Sequence, residues 1–389
     1  MQKKKNLHFV DFFIYLDEMQ MQFWKACSDG KVEKVQNLLQ NEQININWQN
    51  QNDDSETPFY TACRNGHIEI VKLLLNDQRV DINKGDDDSE TPFYIACGNG
   101  EIGIVKLLLN DKRVDINKAN DDGETPVYIA CREGHIEIVK LLLNDERIDI
   151  NKARNDGQIP FYIACGYGHI EIVKLLLNDQ RVNVNKANHG GWTPFFIACQ
   201  EGQIEIMKLL LNDKRVDINK ARNDGETPFY IACEKGRIKI VKLLLNDERI
   251  DINKPNHDDK TPFYIACLNG HIEIAKLLLR DKRINNTQTQ NDYWATFWMA
   301  CYDGHIEIVK LLLNDRVDVN KANKYSHRAP FDIASWNGHI EIVKLLLNDK
   351  RISIRRKTNK GKTAVDIAKR NNHSEIMKLI KEADTGISY

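Results

Sequence analysis

The stretch TPFYTACRNGHIEIVKLLLNDQRVDINKGDDDSE, residues 57–90, returns with new starts at Thr91, Thr125, Ile159, Thr193, Thr227, Thr261, Ala295, Ala329 and Thr363, a constant step of 34 residues. A diverged copy precedes it from Phe23-Trp24-Lys25-Ala26-Cys27, with two extra residues in the loop before Thr57, so eleven units fill residues 21–383. Self-similarity at such a period marks a stack of supersecondary units, each too small to bury its own apolar surface. That pattern replaces the two or three ordinary domains that 389 residues would otherwise suggest.

The order of residues within one unit assigns its parts. Thr57 is placed to cap a helix with its hydroxyl, and Pro58 stands at the first helical position, where a missing N–H is no loss. Gly66 falls where a left-handed residue ends that helix; the other copies also have Gly there, except the last, which has Asn372. Ile68, Ile70, Val71, Leu73, Leu74 and Leu75 cover more than one face of a second helix, which therefore needs neighbours on both sides. Residues 76–90 are polar and rich in Asp, and Val80-Asp81-Ile82-Asn83 reads as extended. A tetratricopeptide array shares the period but consists of two longer helices and little else, so helix, turn, helix and finger fits better.

Composition narrows the class. Apolar residues make up 42% of the chain and charged residues 29%, with 55 bases against 56 acids, which describes a folded chain without bulk attraction to nucleic acid or anionic lipid. Apolar runs such as Phe12 to Leu16 are far short of the roughly 20 residues of a membrane span, so no membrane insertion is expected. Lys3, Lys4 and Lys5 imitate the start of a secretory signal, but Asp11, Asp17 and Glu18 interrupt it. Residues 1–20 are expected to form an amphipathic helix that caps the stack, with a weak membrane anchor as the other reading, and residues 384–389 a short tail.

Chemistry-bearing residues fall into the repeat. All nine cysteines occupy one position, from Cys27 to Cys301, following Ala inside the first helix, where a small side chain packs. Layers about 9–10 Å apart keep them out of disulfide reach, and free thiols fit a cytoplasmic or nuclear compartment. His67, His135, His169, His271, His305 and His339 follow the repeat glycine, but the same slot holds Glu101, Gln203 and Arg237, so a structural turn role is read rather than a metal ladder. Gly361-Lys362-Thr363 looks like the end of a phosphate loop, yet Arg356 stands where its glycine should be. No cofactor, metal, small-molecule substrate or catalytic activity is expected.

The units resemble the ankyrin repeat, whose pattern T-P-L-H-x-A is followed by G-H-x-E-I-V-x-L-L-L. Thr91-Pro92-Phe93-Tyr94-Ile95-Ala96 and Gly134-His135-Ile136-Glu137-Ile138-Val139 match it closely, and the likeness covers about nine tenths of the chain. It implies an all-α repeat solenoid with hairpin-like fingers and a concave protein-binding face. Two departures stand out. Tyr replaces the His that bonds between units in the family, and one residue is added after the second helix, as in Asn110-Asp111-Lys112-Arg113.

Positions that differ between copies are free to serve a partner. The two before each glycine run from Arg64-Asn65 to Trp336-Asn337, turning large and aromatic towards the end. The first three fingers are acidic, while residues 351–362 carry six bases and no acid. The unit starting at Ala295 lacks Thr and Pro, leaving Thr296 as a late cap and a weak joint in the stack. Tyr293, Trp294, Tyr302, Asp303, Tyr325, His327, Arg328 and Trp336 gather around it and form the expected partner site. The expected function is a monomeric scaffold that binds another protein. An architectural spacer on cytoskeleton or membrane is the first rival, and nucleic-acid binding by the basic last finger is a weaker one.

Overall fold

In a computed structural model, the backbone is described for residues 2–284, 286–313 and 317–385 and the side chains for residues 15–284, 293–313 and 317–385. Among these residues the chain forms twenty-two helices and no strand. The segment read as extended is a series of turns, and the only pairing of β type among the described residues is an isolated bridge between Asn50 and Glu56. Each finger is nevertheless closed like a hairpin, as where Asn120 N donates to Glu124 O at 3.1 Å and Gly123 N to Asn120 O at 2.9 Å.

The chain divides into two compact units, residues 1–198 with 208–216 and residues 199–207 with 217–389, so the boundary falls inside the repeat that starts at Thr193. Within each, first helices pack on first helices of neighbouring repeats and second helices on second helices. The repeat from Thr125 shows why. Thr125 Oγ1 accepts from Tyr128 N at 3.2 Å, and Pro126 opens the helix Pro126–Glu133. Gly134, at φ +81°, ends it, and the second helix Ile136–Leu143 follows. Ala130, Cys131, Ile138, Val139 and Leu142 are fully buried, each large apolar side chain contributing about 1.5–3 kcal/mol.

Two first helices are far longer than their seven- or eight-residue siblings. The first runs Gln2–Ser28, passing residues 20 and 21 without a break, and the other runs Asn286–Asp303. Both lack proline at the position where most siblings start, Gln22 and Thr296 standing there instead. Proline pushes the residue before it out of the α region, so without it the helix extends backwards. This corrects the expected late cap: Thr296 lies inside a helix, 2% exposed, and its hydroxyl has no hydrogen-bond partner among the described residues. The last repeat also lacks proline but starts sharply, because Thr363 and Asp366 cap each other's backbone.

All nine cysteines are free and buried, and burial pushes every thiol well above its usual pKa. Thiol titration of the native protein is therefore expected to find few reactive groups, and nine after denaturation without reductant. A Cβ added at Gly134 would stand 2.7 Å from His169 Cε1 of the next repeat, on a backbone at φ +81°. Gly134→Ala is expected to cost about 1–2 kcal/mol or more, read as faster amide exchange around residues 130–140.

Candidate functional site

Four sets of hydrogen bonds join successive repeats and leave the remaining surface free. The histidine after the repeat glycine reaches back to a carbonyl near the end of the previous first helix: His135 Nε2 to Gly98 O at 2.8 Å and His169 Nε2 to Arg132 O at 2.8 Å in one unit, and His339 Nε2 to Tyr302 O at 2.8 Å in the other. Arg237 in the same slot donates to Gln200 O at 2.8 Å. His373, which follows Asn372 rather than glycine, bonds Trp336 O at 3.0 Å.

The second set explains the added residue after the second helix. Asp111 accepts Arg113 N at 2.9 Å and pairs with its guanidinium, which also donates to Leu75 O of the previous repeat at 2.9 Å. In the third set Asn83 Nδ2 donates to Arg113 O at 2.7 Å while Asn83 Oδ1 accepts from Asp115 N at 2.8 Å. Tyrosine supplies the fourth: Tyr94 donates from its hydroxyl to Glu124 Oε2 at 2.8 Å, and Tyr128 to Gln158 Oε1 at 3.3 Å. Tyr therefore does between repeats what the family's histidine is expected to do at that slot.

In the first unit a groove of about 420 Å³ runs between fingers and first helices, lined by Asp88, Glu90, Asp121, Glu124, Arg154 and Tyr167 among others. Glu124 is buried and held by Arg132 at 2.8 Å, while Arg154 lies 3.6 Å away. Among the described residues Glu90 has no ion-pairing base; burial and the neighbouring Asp86 raise its pKa. Tyr167 is 61% exposed and stacks on His169. Neither Tyr167 nor this groove belongs to the site expected from sequence, although Gly166-Tyr167 is among the variable pairs that could have indicated it.

In the second unit the structure links Tyr302, Arg328 and Trp336 of the expected site through Trp298 and through a ring contact. Trp298 stacks on Tyr302 at 5.7 Å and donates from Nε1 to Arg328 O at 2.9 Å. The Arg328 guanidinium lies 3.7 Å over the ring of Trp336. Trp294 Nε1 donates to Lys321 O at 3.1 Å, with the Lys321 ammonium 4.9 Å over the same ring. Tyr325 is 81% exposed beside Lys324, and Asp303 and His327 are exposed as well. Tyr293 differs from its expected place: it is 5% exposed and packs against Phe263 at 5.2 Å, because the backward extension of its helix turns it into the core. The basic run after Arg351 is partly committed, since Arg356 pairs with buried Asp332 at 2.7 Å and Arg355 with Asp384 at 2.7 Å.

Among the described residues no group of acids, histidines and cysteines is placed to hold a metal, and no helix is long and apolar enough to cross a membrane. Short helix pairs stacked through periodic bonds define an all-α repeat solenoid. A family model described as Ankyrin repeats (3 copies) matches residues 4–86, 23–120, 78–154, 147–222, 214–290 and 297–388, and the chain belongs to the ankyrin repeat family. Repeats of this kind are generally non-catalytic modules of protein–protein interaction. No curated protein matches the chain.

Glu56 supplies a pH handle on the first unit. It is 1% exposed and pairs with Arg64, and burial, opposed by that arginine, raises its pKa to about 7. Its contribution to stability is full below its unfolded pKa and is lost as pH rises through about 7. Asp77, Asp111 and Asp145, held low by their arginines, act in the opposite sense and only in acid. Thermal melts are expected to show lower stability at about pH 8 than at about pH 5.5, with the difference reduced by Glu56→Gln.

Proposed function

We propose that this chain is a non-catalytic scaffold that holds a partner protein on the concave face formed by its first helices and fingers, and that it works in the cytoplasm, with the nucleus as second compartment. The observation that carries this reading is the aromatic and cationic surface of the second unit. Tyr302 is 43% exposed, and Trp336 is half-buried under Arg328, at positions where sibling repeats have Arg, Gly, Gln, Glu or, in one copy, the half-buried Leu268. Neither ring is required by the framework, since the counterparts tolerate water. Exposed aromatics beside arginine are the composition of interface residues that carry most of an affinity.

The partner site consists of Trp294, Tyr302, Asp303, Tyr325, His327, Arg328 and Trp336, with Tyr293 supporting them from the core. At the amino end, the helix Gln2–Ser28 serves as the cap of the stack. Gln20 supports this, donating to Gln43 O at 3.2 Å and accepting from Asn45 N at 3.0 Å, so the helix is tied to the first finger.

Changing Tyr302 and Trp336 together to Ala is expected to weaken binding of a partner captured by the intact protein by about 2 kcal/mol or more, while the melting temperature stays nearly unchanged. Lost stability with unaltered affinity in the folded fraction would return these rings to the core. Sedimentation of the protein with an insoluble assembly, instead of exchange with soluble partners, would favour an architectural role.

A further inference from the structure

The charge of the fingers changes sign along the chain. In the six residues before each repeat start, the first three fingers carry only acids: Asp53, Asp54 and Glu56, then Asp86, Asp87, Asp88 and Glu90, then Asp121, Asp122 and Glu124. The last two carry only bases at neutral pH, Lys324 with Arg328 and then Lys357, Lys360 and Lys362. Of the fingers between, three mix the signs, Arg154 with Asp156, Arg222 with Asp224 and Glu226, and Asp258 and Asp259 with Lys260, while residues 187–192 carry neither and residues 289–294 only Asp292.

Ion pairing leaves these two surfaces uncompensated. On the second helices, Lys72 pairs with Glu69, Lys140 with Glu137 and Lys310 with Glu307, at 2.6, 2.6 and 2.7 Å, and the turns that follow pair Asp with Arg. Among the described residues no ion pair involves Asp53, Asp54, Asp86, Asp87, Asp88, Glu90 or Asp121 in the first unit. None involves Lys357, Lys360 or Lys362 in the second, and Lys324 only stacks on Tyr325. Like charges on neighbouring fingers repel, and each surface carries the sign the other lacks.

We propose that the chain associates with a second copy of itself, the acidic fingers of the first unit in one copy docking on the basic fingers and exposed Tyr325 of the second unit in the other. The occupant follows from charge complementarity: the protein itself carries the complement of both surfaces, so contact relieves repulsion on each side. A nucleic acid would satisfy the basic fingers alone and be repelled by the acidic ones. Because charges on exposed fingers act only over about a Debye length, the association is weak and depends steeply on salt. It departs from the monomer expected from sequence, and its basic surface shares Tyr325 and Arg328 with the partner site proposed above, whereas Lys357, Lys360 and Lys362 lie outside that site.

Sedimentation of the full-length protein over a range of concentrations tests this. At about 50 mM salt the weight-average mass is expected to rise with concentration, and at about 500 mM the apparent association constant to fall at least about tenfold. Two variants, one with Lys357→Glu, Lys360→Glu and Lys362→Glu and one with Asp86→Lys, Asp87→Lys and Asp88→Lys, are each expected to remain monomeric at low salt. Their equimolar mixture is expected to associate again, since each then offers what the other lacks, and that recovery also shows both to be folded. A monomer at every concentration in low salt would overturn the proposal, as would undiminished association of either variant. Binding of a single-stranded RNA oligonucleotide by a protein that does not self-associate would assign the basic fingers to nucleic acid instead.

Discussion

A pair of helices seven to nine residues long cannot bury both of its apolar faces against itself. Ile138, Val139 and Leu142 are fully buried only because another second helix lies on each side, and the same holds for Ala130 and Cys131 of the first helix. Everything else follows from that need for neighbours. The polar contacts are arranged to serve it, since the histidine, arginine, asparagine and tyrosine bonds reach from one repeat to the next and supply register that apolar packing alone leaves loose.

This arrangement separates framework from surface. Residues that hold neighbouring layers together are spent on packing or on the periodic bonds, which leaves the first-helix ends and finger tips free to vary. The variation is chemically polarised. The first unit presents a carboxylate-rich groove in which Glu124 is satisfied by Arg132 while Glu90 has no base among the described residues, and the second presents indole and phenol rings covered by cations. On neither surface is a thiol offered, since the cysteines are buried and protonated, and the histidines after the repeat glycine are engaged with backbone carbonyls.

Most of this framework was legible in the sequence because the local signals agree. Threonine followed by proline marks a helix start and glycine marks its end, and the structure places the Thr125 cap and the left-handed Gly134 where those signals stand. Where the signals fall silent, the reading failed. Between Arg283 and Ala295 there is neither proline nor glycine, so nothing stops the helix from running backwards, and Tyr293 turns inward with it. Other features were hidden because their meaning depends on a partner more than 30 residues away. Arg113 looks like one more surface charge until its bond to Leu75 O, 38 residues back, is seen. A local case is different: Asp332 and Asp366 occupy the tyrosine slot and look like errors in the repeat, yet each accepts the backbone N–H three residues back at its own helix cap.

The histidine bond has a consequence for how such a chain changes size. His135 finds Gly98 and His169 finds Arg132 at the same separation of 37 residues, one period plus three. Excision of 34 consecutive residues inside the array brings an equivalent histidine opposite an equivalent carbonyl, whereas excision of 33 leaves the following ring without its acceptor. Length in this molecule is therefore counted in whole repeats, and genetic gain or loss proceeds most easily by complete units.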